Sequence, residues 1–189
     1  MSLRQLPNTI TLLRIALTVP IVWALLVEQY GLVLWLLLLA GLSDALDGWL
    51  VRRYGWYTRL GGYLDPLADK ILVVSTYFTV AWTGLLPWWL VALVVAREVI
   101  ILSGALAFRA VTRSLEMQPL FISKVNTFMQ IVLVLSVIVS AGVLSLPAWY
   151  LDGMLLLVLF TTVSSGLAYV VAWSRKAFNH GRATVEPPR

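Results

Sequence analysis

The sequence predicts an all-α integral membrane protein with six transmembrane helices, and three observations carry that prediction. Of its 189 residues 60% are hydrophobic and only 12% are charged, roughly half the charged share of a soluble domain. Its mean hydropathy is +0.89. The apolar residues fall into six runs, each near the roughly 20 residues that a bilayer core requires. There is no cysteine, which excludes disulfides and thiolate metal sites. The start, MSLRQLPNTI, has one arginine and no small-residue cleavage site before the first apolar run, so a removed signal is not expected.

In chain order, the first span is expected over 9–29. In LPNTITLLRIALTVP, polar Asn8 and Thr11 precede Arg14, with apolar residues on the other side, so a polar N-terminal segment is expected at the interface before the chain enters the bilayer. Pro20 lies inside the span, where it would kink the helix. The second span, 31–51, ends with Asp44 and Asp47, and charge and glycine gather from Arg52 to Gly62. The third, 63–84, opens with Asp65, Pro66 and Asp69; proline suits a first helical turn, where its missing N–H costs little. Gly84 to Pro87 breaks the pattern before the fourth span, 87–110, which carries Arg97 and Glu98 among apolar residues. The fifth, 122–143, opens with Lys124, and the sixth covers 152–174. Residues 1–177 form a single membrane domain on this reading, and the polar stretch 178–189, with Pro187 and Pro188, is expected to be a disordered cytoplasmic tail.

Charge orients the bundle. None of the 14 cations falls in the loops after spans one, three and five, which carry only Glu28 and Asp152. Both termini are therefore expected in the cytoplasm, with the loop between spans two and three on the same side. Trp88, Trp89, Trp149 and Tyr150 near the opposite ends fit an aromatic belt. The net charge of +5 follows from this topology and from attraction to anionic membrane lipids, and no nucleic-acid partner is expected.

The stretch from Asp44 to Lys70 holds four of the nine carboxylates. Asp44 and Asp47 are three apart and Asp65 and Asp69 four apart, so on helices each pair projects from one face. An aspartate at mid-bilayer costs about 2.5–3.5 kcal/mol even on lenient insertion scales. Solvation at the interface, or pairing with Arg52, Arg53 and Lys70, would offset that. Exposed carboxylates have no need to converge, however, and Gly48, Arg52, Arg53, Arg59, Gly61 and Gly62 add cations and close backbone approach. Such a composition suits a hard divalent cation meeting phosphate oxygens. With the only histidine, His180, far away in the tail, Mg²⁺ or Mn²⁺ is expected rather than zinc.

Asp44, Asp47, Gly48, Arg52, Gly61, Asp65 and Asp69 match, position for position, the signature of the CDP-alcohol phosphotransferases, and the chain resembles that phosphatidyltransferase family. The one departure is Val51, where the signature has alanine; its two extra methyls would narrow the space beside the nucleotide. The resemblance implies a six-helix fold, usually a homodimer, with two divalent ions between helices two and three; the charge pattern sets the active site facing the cytoplasm, and a bacterial inner membrane is expected. The resemblance implies that Asp44, Asp47, Asp65 and Asp69 are metal ligands and that Asp69 is also the general base. It also implies that Asn8, Thr11, Arg14, Gly48, Arg52, Thr58 and Gly61 bind CDP-diacylglycerol.

Beyond the signature, LPNTITLLRIALTVP, LDPLADKILV, PLFISKVNT and FTTVSSGLAYV are similar to stretches of the CMP-forming cardiolipin synthases and of the related phosphatidylglycerophosphate synthases, over about residues 5–177. The activity so implied is transfer of a phosphatidyl group from CDP-diacylglycerol to a glycerol-type alcohol with release of CMP, and Arg97, Lys124 and Asn126 would contact that acceptor. Relatives that use glycerol 3-phosphate commonly carry a second lysine where this chain has Asn126. The first expectation is therefore phosphatidylglycerol as acceptor, giving cardiolipin, and the alternative is glycerol 3-phosphate, giving phosphatidylglycerophosphate. On this view Asn126→Lys would shift preference toward glycerol 3-phosphate. A reading of another class is a small ion or proton transporter with an aspartate relay. Against it, the outer halves of spans two and three hold no carboxylate and no cation.

Overall fold

Six helices, in a computed structural model that describes residues 6–56, 61–112 and 121–183, make up the fold. They are α1 (Leu6–Leu26), α2 (Tyr30–Tyr54), α3 (Gly61–Trp82), α4 (Trp88–Thr112), α5 (Phe121–Gly142) and α6 (Ala148–Ala183). Each expected span has its helix. Four stretches are long and apolar enough to cross a membrane: Leu6–Leu26, Tyr30–Tyr54, Phe121–Gly142 and Ala148–Ala172. These mark an integral membrane protein. Of the other two helices, α3 carries Asp65, Asp69 and Lys70 in its first three turns.

Helix ends follow local chemistry. In α1, Pro7 sits in the first turn, where no intrahelical N–H bond is lost, and Pro20 lies within the helix without ending it. Asn8, Thr11 and Arg14 belong to one continuous helix with the apolar residues that follow. The chain leaves α1 through Glu28 at φ 57°, with Glu28 N–H donating to Leu25 O at 3.1 Å and Gln29 N–H to Ala24 O at 2.9 Å. The exit from α3 repeats this Schellman pattern with Gly84 at φ 80°: Gly84 N–H donates to Ala81 O and Leu85 N–H to Val80 O, both at 3.1 Å. Helix α2 ends on Gly55 in the left-handed region, after Arg52 and Arg53, whose charges complement the helix C-terminus. Helix α6 runs on to Ala183, past the tail boundary expected at Phe178. No proline and no glycine before Gly181 interrupts this stretch, and cations there suit a helix C-terminus.

The chain divides into two compact units: Met1–Trp88 with Val134–Leu151, and Trp89–Leu133 with Asp152–Arg189. In the first, α1 packs on both α2 and α3, and it does so through the buried stripe Pro7, Thr11, Arg14, Thr18, Ile21 and Leu25. Gly142 brings the end of α5 so close to the start of α2 that a Cβ there would collide with Tyr30. The Ser136 and Tyr150 hydroxyls lie 3.2 Å apart. The second unit encloses Leu90, Val94, Leu133 and Val158 together with polar Arg97, Asn126, Gln130, Thr161, Thr162 and Ser165.

Large apolar side chains also cover the outside. Leu12, Leu13, Val19, Trp23, Trp35, Leu38 and Leu39 are exposed, whereas Thr11, Arg14, Asp47, Arg97 and Asn126 are buried beside apolar residues. A lipid solvent accounts for both, because leucine on the outside costs nothing there and a charge must find a partner inside.

Candidate active site

Three helices of the first unit build this site. On α1, Thr11 and Arg14 are three residues apart on the buried stripe that faces α2 and α3. Arg14 Nη1 lies 2.8 Å from Asp44 Oδ1 and donates to Asp69 Oδ1 at 2.7 Å, and Arg14 Nη2 donates to Asp47 Oδ2 at 2.5 Å. Thr11 Oγ1 lies 2.5 Å from Asp65 Oδ1, 3.5 Å from Asp47 Oδ2 and 3.0 Å from Pro7 O. The two carboxylate pairs legible from spacing thus gather on two polar side chains of α1. Three carboxylates touch the guanidinium, and the fourth takes the threonine hydroxyl.

Exposure within the cluster is uneven. Asp47 (5% exposed) and Arg14 (1%) form its closed floor, while Asp44 (52%) and Asp69 (54%) form its open side. Arg14 Nε is buried with no hydrogen-bond partner among the described residues. As donors, ionised carboxylates from two helices fit a hard divalent cation in kind and in charge. Among the described residues, however, no three acidic, histidine or cysteine side chains stand close enough to grip an ion as they are. The guanidinium lies between them.

Around the cluster, Gly48 and Arg52 follow Asp44 at successive four-residue steps on one face of α2. A Cβ on Gly48 would touch the exposed Arg52 guanidinium at 3.6 Å. Gly61 is the buried first residue of α3, and Asn8 is half-buried in the first turn of α1. Thr58 lies outside the described residues. Trp56 stacks on Tyr54 beside this end of α2, with ring centroids 4.9 Å apart.

The expected acceptor contacts belong to the second unit and do not share one environment. Lys124 is exposed at the start of α5. Asn126, two residues later, is fully enclosed, and its Oδ1 accepts from Thr161 at 2.9 Å and Thr162 at 2.8 Å on α6. Arg97 is buried on α4, pairs with Glu98, and donates through Nη2 to Ser123 at 2.5 Å and Ser165 at 2.8 Å. Its guanidinium also lies 6.0 Å from the Tyr169 ring centroid. The hydroxyls of Ser123, Thr161, Thr162 and Ser165 were not singled out from the sequence. The one signal for Thr161, Thr162 and Ser165 is the run of small hydroxylated residues in FTTVSSGLAYV, and Ser123 stands beside Lys124 in PLFISKVNT.

The family model for CDP-alcohol phosphatidyltransferase matches residues 4–177. The rat protein named cardiolipin synthase (CMP-forming) is 32% identical over 96% of this chain and 63% of its own length. A rice chloroplastic protein named CDP-diacylglycerol–glycerol-3-phosphate 3-phosphatidyltransferase 1 is 33% identical over 89% of this chain and 57% of its own. A protein of Mycobacterium tuberculosis named probable phosphatidylglycerophosphate synthase is 34% identical over 88% of this chain and 80% of its own. The chain thus spans less than two thirds of the rat and rice relatives but most of the mycobacterial one. With its aspartate signature inside a match over nearly the whole length, this chain belongs to the CDP-alcohol phosphatidyltransferase family.

Proposed function

We propose that this chain moves a phosphatidyl group from CDP-diacylglycerol to a glycerol-type alcohol and releases CMP. The observation that carries this reading is the gathering of Asp44, Asp47, Asp65 and Asp69 from two helices onto the Thr11 and Arg14 face of α1. Those four aspartates would hold two divalent ions, Mg²⁺ or Mn²⁺, which when bound supply neutralisation of the diphosphate oxygens and of the departing CMP.

The chain's own residues do the rest. Asn8, Thr11, Arg14, Gly48, Arg52, Thr58 and Gly61 bind and orient the nucleotide-linked lipid. Asp69, on the open side, accepts the proton of the acceptor hydroxyl while that oxygen forms a bond to the phosphatidyl phosphorus. The bond from that phosphorus to CMP breaks, and CMP leaves with its electron pair. Active site and termini face the cytoplasm in this reading, six helices span a bacterial inner membrane, and the working form is a homodimer. The one-sided distribution of cations supports the orientation.

For the acceptor, phosphatidylglycerol comes first, giving cardiolipin. Of the three residues expected to meet it, exposed Lys124 suits direct contact with a phosphodiester. Enclosed Arg97 and Asn126 instead tie α4, α5 and α6 together. Glycerol 3-phosphate is the second reading, and it is favoured by the rice and mycobacterial relatives, whose names carry that chemistry at comparable identity.

Purified chain given labelled CDP-diacylglycerol, Mg²⁺ or Mn²⁺ and each acceptor in turn tests both levels. Metal-dependent CMP release with cardiolipin from phosphatidylglycerol is expected. Phosphatidylglycerophosphate alone would reverse the acceptor, and CMP from neither would discard the transferase.

A further inference from the structure

We propose that Arg14 is an internal counter-ion that exchanges partners: it holds the carboxylates until divalent cations take them, and the released guanidinium then binds phosphate oxygens of the nucleotide-linked substrate. The inference rests on the reading of the four aspartates as metal ligands. It adds a competition between one side chain and the metal, and a coupling of metal binding to substrate binding through that side chain.

Three observations lead to it. Arg14 Nη1 is shared by Asp44 and Asp69, one from each helix pair, and Nη2 holds Asp47, so the guanidinium bridges α2 and α3. A hard cation requires the same oxygens at about 2.0–2.1 Å for Mg²⁺ in near-octahedral geometry, whereas with the planar guanidinium in between no three carboxylates stand close enough to grip one. Second, buried Arg14 leaves Nε without an acceptor among the described residues. Arginine offers five donors in a fork that matches phosphate as well as carboxylate, so a second anion can use the donor that the carboxylates leave idle.

Third, charge favours exchange over coexistence. One guanidinium carries a single positive charge against the three carboxylates it touches. Once divalent ions sit on those carboxylates, like charges would face each other across a few ångströms in a site that is closed on the Arg14 and Asp47 side. A diphosphate restores the balance, and the side chain is long enough to turn toward it without moving α1. Thr11, one turn earlier on the same face, holds Asp65 by a neutral hydroxyl, which can remain beside an ion. Arg14 alone has to yield.

Mn²⁺ titration of the purified full chain in nanodiscs without nucleotide lipid, with free Mn²⁺ followed by electron paramagnetic resonance, tests the competition. Arg14→Gln should bind Mn²⁺ about tenfold more tightly than the parent, because the parent's affinity is reduced by the fraction of protein whose carboxylates Arg14 holds. Equal or weaker binding by Arg14→Gln would overturn the exchange and make Arg14 a support for the ligands, with the metal reading intact. A parent that binds no Mn²⁺ would overturn the metal reading, and the exchange with it. A second measurement needs no variant: phenylglyoxal labelling at Arg14, read by peptide mass, should quicken about fivefold when Mn²⁺ saturates the parent and slow again with CDP-diacylglycerol. No quickening would also overturn the proposal.

Discussion

Arg14 Nη2 donates to Asp47 Oδ2 at 2.5 Å, and both side chains are almost wholly buried. Asp44, three residues earlier on the same helix, meets the same guanidinium from a half-exposed position. The two aspartates should therefore separate in stability even where they do not in activity. Asp47→Asn leaves a buried guanidinium short of its most enclosed partner and should cost about 3 kcal/mol. Asp44→Asn should cost less than about 1 kcal/mol, since water replaces much of what is lost. Thermal midpoints in detergent check this, and equal shifts would contradict it.

Asp69→Asn keeps the side-chain volume and an acceptor oxygen but removes the charge and the basicity. Turnover should fall by about a hundredfold or more, the scale of general-base catalysis. Binding of CDP-diacylglycerol should partly survive. Both are measurable on one preparation, by CMP release and by equilibrium lipid binding. Near-parental turnover would remove Asp69 from the base role.

Asn126→Lys is expected to damage folding rather than redirect the acceptor. Asn126 has no exposed surface, and its Oδ1 already serves two threonine hydroxyls, so an ammonium placed there is a buried charge without a carboxylate. The loss should reach about 3 kcal/mol or more, visible as a low yield of monodisperse protein. A well-folded variant that turned to glycerol 3-phosphate would restore Asn126 to the acceptor surface.

The two Schellman turns offer a paired test. A Cβ at Gly84 meets open space, yet its φ of 80° makes alanine there strained by about 1 kcal/mol. Glu28 already bears such strain at φ 57°. Gly84→Ala should lower the thermal midpoint, while Glu28→Gly should leave it unchanged or raise stability by up to about 1 kcal/mol.

Six helices and the pairing of the aspartates were legible because both are local: apolar run length sets the first and three- or four-residue spacing the second. What Thr11 and Arg14 touch was not legible. Their spacing shows that they share a face, but their carboxylate partners lie 30 to 55 residues away, and no local pattern specifies which helix a polar face will meet. Asn126 and Lys124 illustrate the same limit. They are two residues apart, one enclosed and one exposed, in a stretch where small polar residues occur on every side of α5. The end of α6 was missed for a different reason. Composition after Phe178 turns polar, which reads as the end of the membrane domain, but a helix needs no apolar environment to continue while its residues favour it.

The span of 55 residues between Arg14 and Asp69 also sets an order of events during synthesis. Helix α1 precedes α2 and α3 in the chain, so its arginine enters the bilayer before any of the carboxylates that will meet it. At about 5–20 residues per second, the last of them follows several seconds later. In that interval the guanidinium can only snorkel toward the headgroups, which ties α1 to a shallow position in the membrane. Arrival of the aspartates then lets the helix settle, and the residue that organises the finished site also decides when its first helix can take its final depth.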